Sequence, residues 1–245
     1  MSARHDLATT RAWAVDGTRL VVGALASLPD DAFTGPSLLP GWTRAHVGAH
    51  LARNAEALTR LASWARTGEE SPMYAGPEQR DADIESSARQ SPAALRHDVT
   101  ATAAVLDQAL DALTGPAWDA PVGVRQGQQV AARLLPWLRV REVWLHAVDL
   151  DAAVDLSAAP PPLLDELVAD ITARLSTEPS CPRVGLRLVD RDVTWPLGSP
   201  AGPGGQQAAT TVEGSAADVV LWLAGRSDGA RLRTPGPLPA LPRWL

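Results

Sequence analysis

Residues 139–149 read Arg139-Val-Arg-Glu142-Val-Trp-Leu-His146-Ala-Val-Asp149. The segment is rich in Val, Leu, Trp and Ala, and on a helix it stacks Glu142 and His146, four apart, on one face. Arg139 and Asp149 extend that stripe at intervals of three. One face of an apolar helix thus carries Arg, Glu, His and Asp in line, an arrangement that burial penalises unless the groups have partners. Trp137, Val140, Trp144 and Val148 flank the stripe and also favour burial. A divalent ion would partner such groups economically; the competing reading pairs Glu142 with Arg139 or Arg141 on a solvated face.

Working outward, Pro and Gly divide the first two-thirds of the chain into four predicted helices, at 6–28, 43–66, 92–114 and 131–154. Ser91-Pro92 supplies a cap and a first-position proline for the third, and Gly115-Pro116 closes it. Helices of this length suggest a four-helix bundle, with 68–89 as a long connection over one end. Beyond Pro160-Pro161-Pro162 the pattern changes to a helix at 163–177, alternating strands at 184–189 and 193–196, a Gly-rich polar loop at 202–207, a strand at 209–213, a helix at 216–225 and a further short strand. The expected fold class is α+β, with a bundle over 1–157 and a smaller domain over 158–245.

The second predicted helix offers a partner for the stripe. In Gly41-Trp-Thr-Arg-Ala-His46-Val-Gly-Ala-His50-Leu-Ala-Arg-Asn54 the apolar positions are Val47, Leu51, Ala55 and Leu58, which puts His50 and Asn54 at the border of the core-facing side. His50, Glu142 and His146 would make a three-ligand site with a fourth, exchangeable position, as catalytic zinc requires. Asn54 or Asp149 would orient a ligand histidine from outside. His5 and His97 read as surface residues.

Composition narrows the remaining possibilities. All 22 basic residues are arginine, the net charge is −6 and the pI is about 5.3, with no basic cluster to track phosphates, so no nucleic-acid partner is expected. No run of about 18 apolar residues and no leader-type apolar region occurs, so no membrane partner is expected and the protein reads as soluble and cytoplasmic. Cys181 is the only cysteine, beside Pro182 and with no histidine nearby, and reads as a bystander thiol.

The Gly-Trp-Thr…His50 segment, the Arg-Glu142-Val-Trp-Leu-His146-Ala-Val-Asp-Leu segment, Glu69-Glu-Ser-Pro-Met-Tyr-Ala-Gly-Pro-Glu-Gln-Arg80 and the terminal Pro-Arg-Trp-Leu together resemble the mycothiol-dependent maleylpyruvate isomerases, over nearly the whole chain. The resemblance implies a DinB-like metal-binding bundle followed by a sterol-carrier-like domain, with His50, Glu142 and His146 at zinc-ligand positions and Arg226 at the position of an arginine important for activity. It implies Zn2+ and mycothiol as cofactors and maleylpyruvate as substrate, isomerised to fumarylpyruvate. Rotation about a C=C bond needs its bond order lowered, which reversible thiolate addition achieves, and Cys181 is not placed to provide the thiol. The dicarboxylate substrate calls for guanidinium groups; Arg226 is the first candidate and Arg80 the second, with Tyr74 and Trp42 as pocket walls. Two alternatives stay open: another mycothiol-dependent S-transferase of the DinB-like superfamily, and a non-catalytic metal- or lipid-binding module.

Overall fold

The computed structural model describes residues 6–124, 128–198 and 210–244. It divides into two compact units, Met1–Val154 and Asp155–Leu245. His5, the 202–207 loop and Ala209 lie outside the described residues.

In the first unit, α1 (Leu7–Ser27) starts at Asp6, whose side chain accepts from Ala8 N. Helix α2 (Arg44–Thr67) opens with a reciprocal cap, Thr43 accepting from His46 N while the His46 ring accepts from Thr43 N, and it closes at Gly68 with φ 78°. Only glycine adopts that left-handed turn without strain. Helix α3 (Pro77–Ala88) follows, then α4 (Pro92–Asp111), capped by Ser91 with proline in its first turn. Strands β1 (Pro121–Gly123) and β2 (Gln129–Ala131) pair antiparallel, and a 3-10 turn at Ala132–Leu134 leads into α5 (Leu135–Asp149).

Helix α1 packs on α5, and α4 packs on α2. The α1/α5 approach is close because Gly17 has no side chain: a Cβ there would stand 2.4 Å from Val143 Cγ2 and 2.7 Å from Trp144 Nε1. Trp144 Nε1 donates to Trp13 O at 2.8 Å, which satisfies the one polar atom of a buried indole. Leu51, Leu58 and Leu61 of α2, Leu95 and Leu106 of α4, and Val140 and Val143 of α5 fill the core.

The four expected helices are present as α1, α2, α4 and α5, and among the described residues of this unit there is one more. The 68–89 connection contains α3, of which only Ile84 and Ser87 are buried, so its apolar periodicity is too sparse to read. The last helix of the unit is Leu135–Asp149 rather than 131–154: a β-hairpin takes its expected start, and Asp151 and Ala153, with φ of 51° and 57°, end it. Non-glycine residues in that region cannot continue a right-handed helix.

The second unit opens with α6 (Pro161–Leu175), followed by β3 (Val184–Leu188), β4 (Val193–Leu197), β5 (Thr210–Gly214) and α7 (Ala216–Leu223). The sheet order is β4-β3-β5, with β3 antiparallel to β4 (Leu186 opposite Trp195) and parallel to β5 (Leu186 opposite Val212). Helices and sheet share a core of Leu163, Leu167, Ile171, Leu186, Val212, Val220 and Leu223. The expected final strand is an isolated bridge, Glu213 to Arg233. A helical unit followed by a mixed unit is the α+β organisation expected from the sequence.

Candidate metal centre

Helix α2 contributes His50 and α5 contributes Glu142 and His146. Their ligand atoms all lie within 4.8 Å of one another. Glu142 Oε2 is 2.7 Å from His50 Nε2 and 3.2 Å from His146 Nε2, and the two imidazoles meet edge to face with centroids 4.7 Å apart. His50 is 4% exposed. The carboxylate of Asp149, fully buried, takes the other side of His146: Oδ2 lies 2.8 Å from Nδ1. A carboxylate only accepts, so Nδ1 donates to Asp149, and Nε2, which faces the Glu142 carboxylate, is the nitrogen whose proton a metal ion would displace.

Burial dominates the His50 ring and pushes its pKa down to about 4 against the attraction of Glu142, which keeps the imidazole neutral. Burial also depresses His146, but hydrogen bonds to Asp149 and Glu142 outweigh it and leave the pKa raised. Glu142 is penalised by burial, yet its bonds to His146 and His50 hold the pKa well below the usual carboxylate range.

Two carboxylates beside two imidazoles leave excess negative charge once the rings are neutral, which suits a divalent cation. The nitrogen, oxygen, nitrogen donor set is one zinc accepts at about 2.0–2.2 Å, and three protein ligands leave one tetrahedral position open. The residues present fit such an ion.

Around the cluster, the Trp42 ring stands 5.5 Å from the His50 ring. Trp42 sits in a turn closed by Ser37 N to Trp42 O (2.9 Å) and Trp42 N to Leu39 O (3.1 Å). In the same loop Leu38 N donates to Asp149 O at 3.0 Å, and Arg44 Nε donates to Leu150 O at 2.8 Å. Arg80, on α3, brings Nη2 to 3.4 Å from His50 Nδ1, bonds Asp81 through Nη1 at 2.7 Å and faces the Tyr74 ring at 6.0 Å. Trp42, expected as a pocket wall, and Arg80, expected to bind substrate, thus stand beside His50, while Tyr74 stands beside Arg80; the sequence missed the helix that carries Arg80, for which Gly76-Pro77 was the signal.

Other expected residues fall elsewhere. Asn54 does not hold a ligand histidine: its Oδ1 accepts from Arg139 Nη1 at 2.9 Å, and the same nitrogen donates to Leu51 O at 2.8 Å. Arg139 is turned to α2 by these bonds, and no hydrogen bond links it to Glu142; burial pushes its pKa down to about 10, so it stays charged at neutral pH. His46 serves as a helix cap and pairs with Glu85 at 3.0 Å. In the second unit Arg226 follows Gly225 (φ 73°) at the end of α7, and its Nη1 donates to Ala224 O at 2.7 Å. Cys181 is partly buried, and burial pushes its thiol pKa up, which lowers the thiolate fraction at neutral pH. No helix among the described residues is long and apolar enough to cross a membrane.

Comparison with known proteins adds independent information. The profile of the mycothiol maleylpyruvate isomerase N-terminal domain matches residues 14–151, and that of the MDMPI C-terminal domain matches 158–243. A crystal structure of the mycothiol-dependent maleylpyruvate isomerase is 36% identical, covers 100% of both chains and superposes with a TM-score of 0.91. The crystal structure of a histidine-to-alanine mutant of a mycothiol-dependent maleylpyruvate isomerase is 35% identical over 100% of both chains, also with a TM-score of 0.91. No curated protein sequence matches the chain.

Proposed function

The chain belongs to the mycothiol-dependent maleylpyruvate isomerase family, and from that premise we propose that it converts maleylpyruvate to fumarylpyruvate, with His50, Glu142 and His146 holding zinc. The observation that carries this reading is the convergence of those three side chains, from two helices, on one point with an orienting carboxylate behind them.

When bound, zinc supplies a Lewis acid with an open position, and mycothiol supplies the thiol whose reversible addition lowers the order of the C=C bond. The chain's own residues do the rest. Asp149 accepts from His146 Nδ1, which turns Nε2 toward Glu142 and the point a metal ion would occupy. Trp42 covers His50 and excludes water from that side of the cluster. Arg80, within 3.4 Å of His50, is placed to accept one substrate carboxylate, and its Nε has no hydrogen-bond partner. We assign the second carboxylate to Arg226, a role supported by the family resemblance at Leu-Ala-Gly-Arg226-Ser-Asp-Gly. We place the reaction in the cytoplasm, where low-molecular-weight thiols stay reduced.

The test follows maleylpyruvate isomerisation spectroscopically with zinc-loaded protein, with and without mycothiol and after removal of metal by a chelator. Turnover that needs both zinc and mycothiol is expected. Turnover at an undiminished rate without either one would overturn the assignment.

A further inference from the structure

Among the described residues, Arg139 is the one arginine that is buried, at 2% exposure. It stands one turn before Glu142 on α5, and both N–H bonds of its Nη1 go to α2, to Leu51 O at 2.8 Å and Asn54 Oδ1 at 2.9 Å. Leu51 follows His50 in the chain and Asn54 lies one turn beyond it, so the guanidinium is tied to both helices that supply the candidate ligands. Its other nitrogens, Nε and Nη2, are buried without a hydrogen-bond partner among the described residues. Leucine or methionine would fill the position without that desolvation cost. A cation kept there at such a cost has a use as a charge.

The use follows from the charges buried together. With neutral imidazoles, Glu142 and Asp149 carry two negative charges, which a divalent ion at His50, Glu142 and His146 balances. Arg139 then leaves the cluster one unit positive. A neutral molecule in the open position cannot remove that excess, whereas a thiolate can. Nearby charges outside the cluster act more weakly. Arg80 is bonded to Asp81 at 2.7 Å. Arg19 and Asp107, which line the space beside Arg139, are half or more exposed and paired, with Asp16 at 2.7 Å and Arg11 at 2.9 Å, so water and counter-charges screen them. Glu142 and Tyr74 are the titratable groups that favour the charge on Arg139.

We propose that Arg139 is a positioning residue that sets the net charge of the metal centre, so that the open position prefers an anionic thiolate to a neutral ligand. It acts through the field of a fixed charge, with no contact to the reacting atoms. The inference rests on the reading that His50, Glu142 and His146 hold a divalent ion. At an effective dielectric of about 20, a unit charge about 10 Å from an anion changes its affinity by roughly tenfold.

The test loads the protein with cobalt(II), whose absorption reports its ligands, and titrates it with β-mercaptoethanol and, separately, with imidazole. The thiol binds as an anion and imidazole as a neutral donor. Asn54→Asp keeps the arginine and opposes its charge, so the result does not depend on whether Arg139→Gln folds. In both variants thiolate affinity at fixed pH is expected to fall about tenfold, and the pH midpoint of thiolate binding to rise. Imidazole affinity should hold, and zinc affinity should stay equal or increase, because a repelling cation has been removed or neutralised. Arg139→Lys should keep most of the native thiolate preference. A merely structural arginine would instead weaken thiol, imidazole and zinc together. That outcome, or native thiolate affinity in Asn54→Asp, would overturn the inference alone. Failure of the native protein to take up cobalt at the three ligands would overturn the metal reading as well.

Discussion

Asp149 Oδ2 lies 2.8 Å from His146 Nδ1, so a carboxylate with no solvent exposure fixes which nitrogen of a ligand histidine faces the metal position. Asp149→Asn keeps the shape but presents a neutral amide that can offer its N–H to the ring, which permits the wrong tautomer. Zinc affinity is expected to fall roughly 10–100-fold, with far-UV circular dichroism unchanged. Competition titration against a chromophoric chelator measures it, and a native affinity would show that Asp149 is only a packing residue.

Removal of a ligand should act more severely. His50→Ala and His146→Ala are each expected to lose tight zinc binding while remaining folded, because the apolar core between α2 and α4 does not involve the cluster. Metal analysis after dialysis is the measurement; full occupancy in both variants would dismiss the three-ligand site.

Gly17 predicts a packing effect of definite sign. In a helix interior, Gly to Ala normally stabilises by about 0.5–1 kcal/mol, and Gly23→Ala, where a Cβ meets nothing within 4 Å, should do so. At Gly17 the same change puts a methyl 2.4 Å from Val143 Cγ2, and both Val143 and Trp144 are buried. Overpacking should prevail and leave Gly17→Ala about 1–3 kcal/mol less stable. Denaturant unfolding of the two variants decides it.

Arg226→Ala should retain zinc and stability yet lose about 30-fold or more in kcat/KM for maleylpyruvate, the cost of roughly 2 kcal/mol or more of charge-assisted binding. Arg226→Lys should recover only part of that, since a point charge does not reproduce the fork. Native kinetics in Arg226→Ala would return this arginine to its local role, the bond to Ala224 O.

Cys181→Ser should turn over at a near-native rate when mycothiol is supplied, because the Cys181 thiol is held protonated by burial and accepts no role in the proposed chemistry. Total loss of activity in a folded Cys181→Ser protein would place the nucleophile inside the chain.

What the sequence revealed followed periodicity. Helices with continuous apolar stripes, such as the one bearing Val47, Leu51, Ala55 and Leu58, were legible, and with them the shared face of Glu142 and His146. Helix α3 was not, because it buries little beyond Ile84 and Ser87 and so writes no stripe. The β1/β2 hairpin was hidden for a similar reason: three-residue strands are too short to show alternation. Asn54 accepts from Arg139 across α2 and α5, a tertiary pairing that no spacing within either helix announces.

The hydrogen bond from Leu38 N to Asp149 O joins two parts of the site that are far apart in the chain. Asp149 holds the histidine from behind, and the loop it accepts from carries the Trp42 ring that covers the front. Arg44 adds a second tie to the same helix end through Leu150 O and Asp151. The aromatic cover and the outermost carboxylate are consequently one mechanical piece, ordered when the bundle folds. The conformational entropy of arranging them is lost during folding, before any substrate arrives, and need not be subtracted from the free energy of binding.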